Sequence, residues 1–190
     1  MDRLEEYAAC NNIPIMQKDG ILFLTDYIKK NKIRRILEIG SAIGYSAICM
    51  AQVDKNIKVV TIERDESRYK VATENIINYN LSDQVEIVFG DALELDINGK
   101  FDLIFIDAAK AQYIKFFEKY KNNLTDNGVI ISDNLNFHGL TEENVIIKSK
   151  NLRGLVRKIN EYKEFLRNNK EFHTDFLMIG DGIGVSKKIR

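Results

Sequence analysis

Glu38-Ile39-Gly40-Ser41-Ala42-Ile43-Gly44-Tyr45-Ser46 joins a β-branched run, Arg35–Ile39, to a helix-patterned stretch over residues 44–53. A strand that runs into a glycine turn and then a helix is the opening move of a parallel α/β sheet. Gly40 allows a tight turn and Gly44 a close backbone approach. The first turn of the helix leaves N–H groups without intrahelical partners. The stretch therefore reads as a nucleoside-binding turn.

The same alternation continues outward. Strands are expected over residues 57–62, 84–89, 101–106 and 129–132, with helices over 65–80 and 110–124. On the first helix Tyr69, Ala72, Ile76 and Tyr79 share a face; on the second Tyr113, Phe117, Tyr120 and Leu124 do. Phe101–Ile106 is apolar on both faces, as a central parallel strand should be. Near the C-terminus the pattern changes. An amphipathic helix over 152–166 uses Leu152, Leu155, Ile159, Tyr162 and Leu166. Two strand-like runs, 173–179 and 183–189, follow it, and Gly180-Asp181-Gly182 between them predicts a tight antiparallel hairpin. The chain reads as one domain, 1–190, with a helical cap over 1–33 and a substrate loop over 134–151.

Composition narrows the classes. With 190 residues, 45% hydrophobic and 29% charged, the chain has the make-up of an ordinary globular domain. Its formal net charge is zero, so a nucleic-acid partner has to be sought in local basic patches. Cys10 and Cys49 have no metal-ligand spacing and predict reduced thiols. Neither a signal peptide nor an apolar run of membrane-spanning length is evident, which predicts a cytoplasmic protein without membrane attachment.

The glycine turn lacks the G-x-G-x-x-G spacing of a pyrophosphate site. Glu38, just ahead of the glycines, would repel a pyrophosphate but suits an ammonium group, directly or through water. That favours S-adenosylmethionine (SAM) over a dinucleotide. Glu63 ends the second strand, about twenty residues on, where a ribose-binding acid is expected. Asp91, in Gly90-Asp91-Ala92, ends the third and can accept from an adenine amino group, with the Ala92 N–H on a ring nitrogen.

Asp107 ends the fourth strand, and Asp133-Asn134 ends the fifth. Two carboxylates and an amide are hard oxygen ligands fit for Mg²⁺, and the lack of a Cys/His cluster disfavours zinc. Lys110, three residues after Asp107, can point into the same pocket, where a nearby cation would lower its pKa and make it a candidate base. On their own, Asp133-Asn134 also fit a simple turn cap.

Together these residues resemble the class I SAM-dependent O-methyltransferases of the catechol and caffeoyl-CoA type. Within that type they are most similar to the bacterial branch that methylates 5-hydroxyuridine at the tRNA wobble position. The likeness runs from about residue 13 to the end of the chain. It rests on residues 38–46, Glu63, Gly90-Asp91-Ala92, Asp107-x-x-Lys110-x-x-Tyr113, Asp133-Asn134 and the hairpin over 176–188. It implies a Rossmann-like α/β fold: a mostly parallel seven-stranded sheet with a C-terminal antiparallel hairpin and helices on both faces. It also implies SAM contacts at Met16, Glu38, Gly40, Ser46, Glu63, Asp91, Ala92 and Asp107. Metal ligation falls to Asp107, Asp133 and Asn134, a base or electrostatic role to Lys110, and a homodimer is expected. The short N-terminus departs from the family pattern.

The acceptor is then an oxygen with a second oxygen beside it. A catechol has such a pair, and so does 5-hydroxyuridine through its 5-hydroxyl and 4-carbonyl. The whole-chain likeness favours the tRNA anticodon loop; small catechol-like phenols are the alternative. Two basic groups are candidate phosphate contacts: Lys29, Lys30, Lys32, Arg34 and Arg35, and Lys148, Lys150, Arg153, Arg157 and Arg167. Phe137 is a candidate to stack on a lifted base or to join the core. A nucleotide-binding oxidoreductase or a noncatalytic SAM-binding module is a more distant reading.

Overall fold

The computed structural model describes residues 2–141 and 147–189. Two helices, α1 (Asp2–Cys10) and α2 (Lys18–Lys30), precede the sheet. Then follow β1 (Arg35–Ile39), α3 (Tyr45–Gln52), β2 (Lys58–Glu63), α4 (Glu66–Asn78), β3 (Val85–Phe89) and β4 (Phe101–Ile106). The chain continues through α5 (Tyr113–Tyr120), flanked by 3₁₀ turns, β5 (Leu124–Ser132), α6 (Lys150–Arg167), β6 (Phe172–Leu177) and β7 (Ile183–Lys188). The strands form one seven-stranded sheet in the order β3-β2-β1-β4-β5-β7-β6. β1 to β5 are parallel, and β7 is antiparallel to both β5 and β6. The order reverses between β1 and β4, and the crevice at such a switch point is where open α/β sheets bind ligands.

Two apolar cores, one on each face, hold the sheet. One gathers Leu24, Ile28, Ile36, Ile48 and Phe105 under α2 and α3. The other gathers Leu37, Ile104, Phe117, Tyr120, Tyr162 and Phe172 under α5 and α6. Strand residues alternate between the two, so both faces of β1 and β4 are buried, which accounts for their largely apolar sequences, broken within by Glu38 and Asp102. Phe117 meets Tyr162, Phe165 and Phe172 edge-on, with centroids 5.0–6.4 Å apart. α4 starts where the Asp65 side chain accepts from Arg68 N, and α6 where Ser149 accepts from Leu152 N.

Three elements differ from the sequence reading. β5 begins at Leu124, not at residue 129, because Leu124 already pairs with Phe101 and the polar Asp126-Asn127-Gly128 stretch is absorbed by a register shift. The expected helix over 110–124 is correspondingly broken into a 3₁₀ turn, α5 and a second 3₁₀ turn. The hairpin is not tight. Leu177 pairs with Ile183 across a five-residue connection, residues 178–182, because Gly180 and Gly182 both take positive φ around a buried Asp181. Part of the expected substrate loop, residues 142–146, lies outside the described residues. Among those described, no helix is long and apolar enough to cross a membrane, and Cys10 and Cys49 are free thiols.

Phe117 is fully buried at the centre of the α5–α6 aromatic cluster. Phe117→Ala is expected to lower the unfolding free energy by about 3–5 kcal/mol, measured by denaturant titration. A loss below about 1 kcal/mol would mean that the cluster closes over the gap.

Candidate active site

The carboxyl ends of β1 to β5 open onto a cavity of about 630 Å³. Its first wall is the glycine turn. A Cβ on Gly40 would sit 2.1 Å from the Asp107 carbonyl oxygen, and Gly40 has φ 98°, so only glycine fits. Ile62 O accepts from the N–H groups of Gly40 and Ser41, and Asn75 Nδ2 donates to Ile43 O at 2.8 Å, fixing the turn to β2 and α4. Gly44 caps α3 in the left-handed region and offers no side chain to the first N–H groups.

Ser46 lines the cavity and donates to Glu38 Oε1. Glu38 itself is fully buried behind the wall, where Thr61 Oγ1 also donates to it at 2.5 Å. It therefore meets the cavity through Ser46. Burial pushes its carboxyl up to about 7 despite both hydroxyl donors. Glu63 lies in the wall with both oxygens oriented by backbone: Ala42 N at 2.8 Å, and Arg64 N and Asp65 N at 2.9 Å. A carboxylate has about four acceptor positions, so it retains capacity for hydroxyl donors. Asp91 accepts from Leu93 N at 2.8 Å and faces Arg64 at 3.7 Å. Tyr120 OH, at 2.6 Å from the Ala92 carbonyl, holds Ala92 in the wall. Met16 arrives from the segment before α2, buried against Gly20, whose missing Cβ leaves it room.

The second half of the site lies at the ends of β4 and β5. Lys110 Nζ donates to Asp107 Oδ1 and to Tyr113 OH, each at 2.9 Å, and to Asn134 Oδ1. Burial opposes its charge, but Asp107 and Tyr113 outweigh burial and hold it above its ordinary range. Asp133 lies just behind the cavity wall. Burial, reinforced by Asp107, pushes its carboxyl up to about 7. Among the described residues no three His, Cys, Asp or Glu side chains gather to hold a metal ion. The available donor set is two carboxylates and the Asn134 amide, with the Lys110 ammonium in contact with Asp107 and Asn134. A buried carboxylate short of positive charge beside two hard oxygen donors fits a divalent cation.

Two buried polar atoms in the cavity wall have no protein partner, Ser41 Oγ and Gln112 Oε1. Such atoms normally find a partner, and a polar ligand in the cavity would supply one. Arg64, Arg68, Phe116, His138 and Leu155 also line the cavity, and no sequence motif marks them, or Gln112, as site residues. The signal available was position alone: Gln112 and Phe116 follow Lys110 by two and six residues, and His138 follows Phe137. Phe137 itself lines the cavity, half-buried. The cluster from Lys29 to Arg35 lies at the opposite, amino end of the sheet, with Lys30 paired to Asp26 and Arg34 to Asp54. Those five residues therefore do not border the cavity.

A sheet of this order with its cavity at the switch point is the Rossmann-like fold of class I methyltransferases. An O-methyltransferase family model matches residues 1–189. A Staphylococcus aureus protein described as a candidate caffeoyl-CoA O-methyltransferase superposes with a TM-score of 0.95 and 40% identity, covering 99% of this chain and 91% of that one. A Bacillus cereus O-methyltransferase solved with S-adenosylhomocysteine gives a TM-score of 0.83 and 29% identity, covering 99% and 90%. A catechol O-methyltransferase from Niastella koreensis is 36% identical over 109 residues, or 54% of this chain; the match spans about half, 49%, of that relative's length. The chain belongs to the O-methyltransferase family, among the SAM-dependent enzymes of the catechol and caffeoyl-CoA type.

The raised carboxyl of Glu38 has a consequence for stability. A pKa lifted from 4.5 to about 7 contributes stability that is full below 4.5 and is lost as pH rises through 7. Asp133 contributes with the same sign from 3.8 upward. The ligand-free melting temperature is therefore expected to fall across this window, and Glu38→Gln to flatten the fall. An unchanged slope in the variant would assign the proton to another group.

Proposed function

We propose that this chain transfers the methyl group of SAM to one of two adjacent oxygens on a small catechol-like phenol, with a divalent cation such as Mg²⁺ held by Asp107, Asp133 and Asn134. The observation that carries the reading is the pairing, in one cavity, of ordered acidic strand ends with the Lys110–Asp107–Asn134 cluster. Bound SAM supplies a methyl group on a positively charged sulfur. A bound divalent cation supplies Lewis acidity that draws a phenol toward phenolate near neutral pH.

The protein's own part is placement and charge. Glu63 receives the ribose hydroxyls, Asp91 and Ala92 border the adenine, and Ser46, oriented by Glu38, meets the methionine end with Gly40. Met16 closes the cavity from the N-terminal side. In-line methyl transfer would require the walls to hold the acceptor oxygen, the methyl carbon and the sulfur collinear, with the Gly40–Asp107 junction between the two ligands' sites. Lys110 reaches the acceptor end through Asp107 and Asn134; with a cation on those two oxygens its pKa would fall and it could take the phenol proton. Phe116, Phe137 and Leu155 give the acceptor end flat apolar surface suited to an aromatic ring.

The tRNA wobble 5-hydroxyuridine is the second reading, and one observation favours it. α6, whose Leu155 lines the cavity, also carries exposed Arg153 and Arg157. Both side chains already have protein partners: Arg153 donates to the Ile147 and Lys148 carbonyls, and Arg157 pairs with Glu161. The small phenol therefore stands first.

Methyl transfer from labelled SAM should be measured on catechol and, in parallel, on an anticodon stem-loop carrying 5-hydroxyuridine. Catechol is expected to be methylated, with activity abolished by EDTA and restored by Mg²⁺. Asp133→Ala should remove the metal dependence together with the activity, and Lys110→Met should cost about 10²–10⁴-fold in kcat. Methylation of the stem-loop alone would overturn the phenol reading. Full activity of Asp133→Ala in EDTA would overturn the metal.

A further inference from the structure

The connection between β6 and β7 has a role beyond turning the chain. Gly180 and Gly182 flank Asp181 there. A Cβ on Gly182 would lie 2.6 Å from Asn136 N, and one on Gly180 would lie 3.3 Å from Gly20 N at the start of α2. Both glycines also have positive φ. The tip is therefore wedged between the N-terminal side of the cavity and the loop that follows β5. Any other residue at either position would meet backbone.

The wedge delivers one carboxylate. Asp181 is 5% exposed and lines the cavity. Its Oδ1 accepts from the backbone N–H of His138, its carbonyl accepts from Asn136 N at 2.8 Å, and Gly182 O accepts from Leu135 N at 2.9 Å. The loop so held needs holding. Asn134, Phe137 and His138 are all non-glycine residues in the left-handed region, with φ of 61°, 45° and 57°. That conformation is unfavourable for L-residues and persists where surrounding contacts impose it. Asp133 holds the loop at its first residue, Asn134; the Asp181 carboxylate, from a different element, holds it four residues on, at His138. The His138 ring adds an exposed contact at 3.7 Å from the same oxygen.

We propose that Asp181 is a positioning residue for the methyl acceptor. Its carboxylate clamps the backbone at His138, so that Phe137 and His138 form the acceptor wall and Asn134 keeps its amide oxygen toward Lys110. Asp181 acts through the loop: among the described residues its carboxylate is hydrogen-bonded to the loop after β5 and not to the β1–β3 wall. The proposal rests on the phenol reading for its choice of acceptor only.

The decisive comparison is Asp181→Ala against Asp181→Asn, with catechol as acceptor. Asp181→Ala should raise the acceptor KM by about tenfold or more, with S-adenosylhomocysteine affinity changed less than about twofold by calorimetry. Asp181→Asn keeps an acceptor oxygen for the His138 N–H and should recover most of the loss. Unchanged KM in Asp181→Ala, or equal loss of cofactor binding, would overturn the proposal. A second measurement needs no variant: by NMR, the His138 amide of the wild-type protein should exchange with solvent far more slowly than that of Gly139. Equal exchange rates would overturn the clamp even if Asp181→Ala does not fold. If the wild-type protein leaves catechol unmethylated, the phenol reading falls while the exchange measurement still decides the clamp.

Discussion

The structure turns on the contact between two strand ends. β1 and β4 are neighbours at the switch point, with Ile39 paired to Ile106, and the Asp107 N–H donates to the Ile39 carbonyl at 3.0 Å. As both strands end, the Asp107 carbonyl comes so close to Gly40 that a methyl group there would overlap it. The turn that begins the nucleoside half and the turn that begins the acceptor half are thus back to back. Everything later in the chain is referred to this junction. Lys110 follows Asp107 by three residues and opens a 3₁₀ turn, and Asp133 joins from β5 through its N–H to the Ile106 carbonyl. A methyl donor and its acceptor must meet within bonding distance, and a shared wall one residue thick allows it.

The electrostatics of the cavity suit cationic ligands. Glu63, Asp91, Asp107 and Asp181 line it, with Glu38 and Asp133 just behind, against Lys110, Arg64 and Arg68. Glu38 and Asp133 are both pushed toward neutrality by burial. Buried acids in that condition are stabilised when a positive group enters. A sulfonium with its ammonium, and a divalent cation, are such groups, and they would arrive on either side of the Gly40–Asp107 junction. A pyrophosphate would have to enter past the same acids at a cost. A dinucleotide is therefore disfavoured by the whole lining and not by Glu38 alone.

Local sequence carried most of the first half of the site. Glu38, Glu63, Asp91 and Asp107 each end an apolar parallel strand, and in such a sheet strand ends converge whatever the loops do. What local sequence does not carry is contact made across the chain. Asp181 lies in a connection whose Asp-Gly pair signals a two-residue turn, yet the glycines serve close approach to Asn136 and Gly20 instead. Asp126-Asn127-Gly128 falls between the Leu124–Phe101 and Val129–Leu103 pairs, and the register shift there carries it inside β5. The basic run ahead of β1 was prominent in sequence but sits at the far end of the sheet, because strand direction alone decides which end faces the cavity. Ser41 and Gln112 were invisible for a different reason. Their interest lies in having no partner, which only the surrounding packing reveals.

Substrate choice follows from how the two halves are built. On the proposed function, the strand-end residues would recognise what a catechol and a 5-hydroxyuridine share, namely two adjacent oxygens, and so would discriminate poorly between them. Discrimination has to come from surfaces beyond that oxygen pair: Phe116 on α5, Phe137 and His138 after β5, and Leu155 on α6. These are mainly apolar and would meet the ring of such an acceptor. A tRNA substrate would need contacts further out, to phosphates, and the α6 arginines closest to the cavity are engaged with Ile147, Lys148 and Glu161. Redirecting them would cost those contacts before any phosphate contact was gained, whereas a small phenol asks nothing of them.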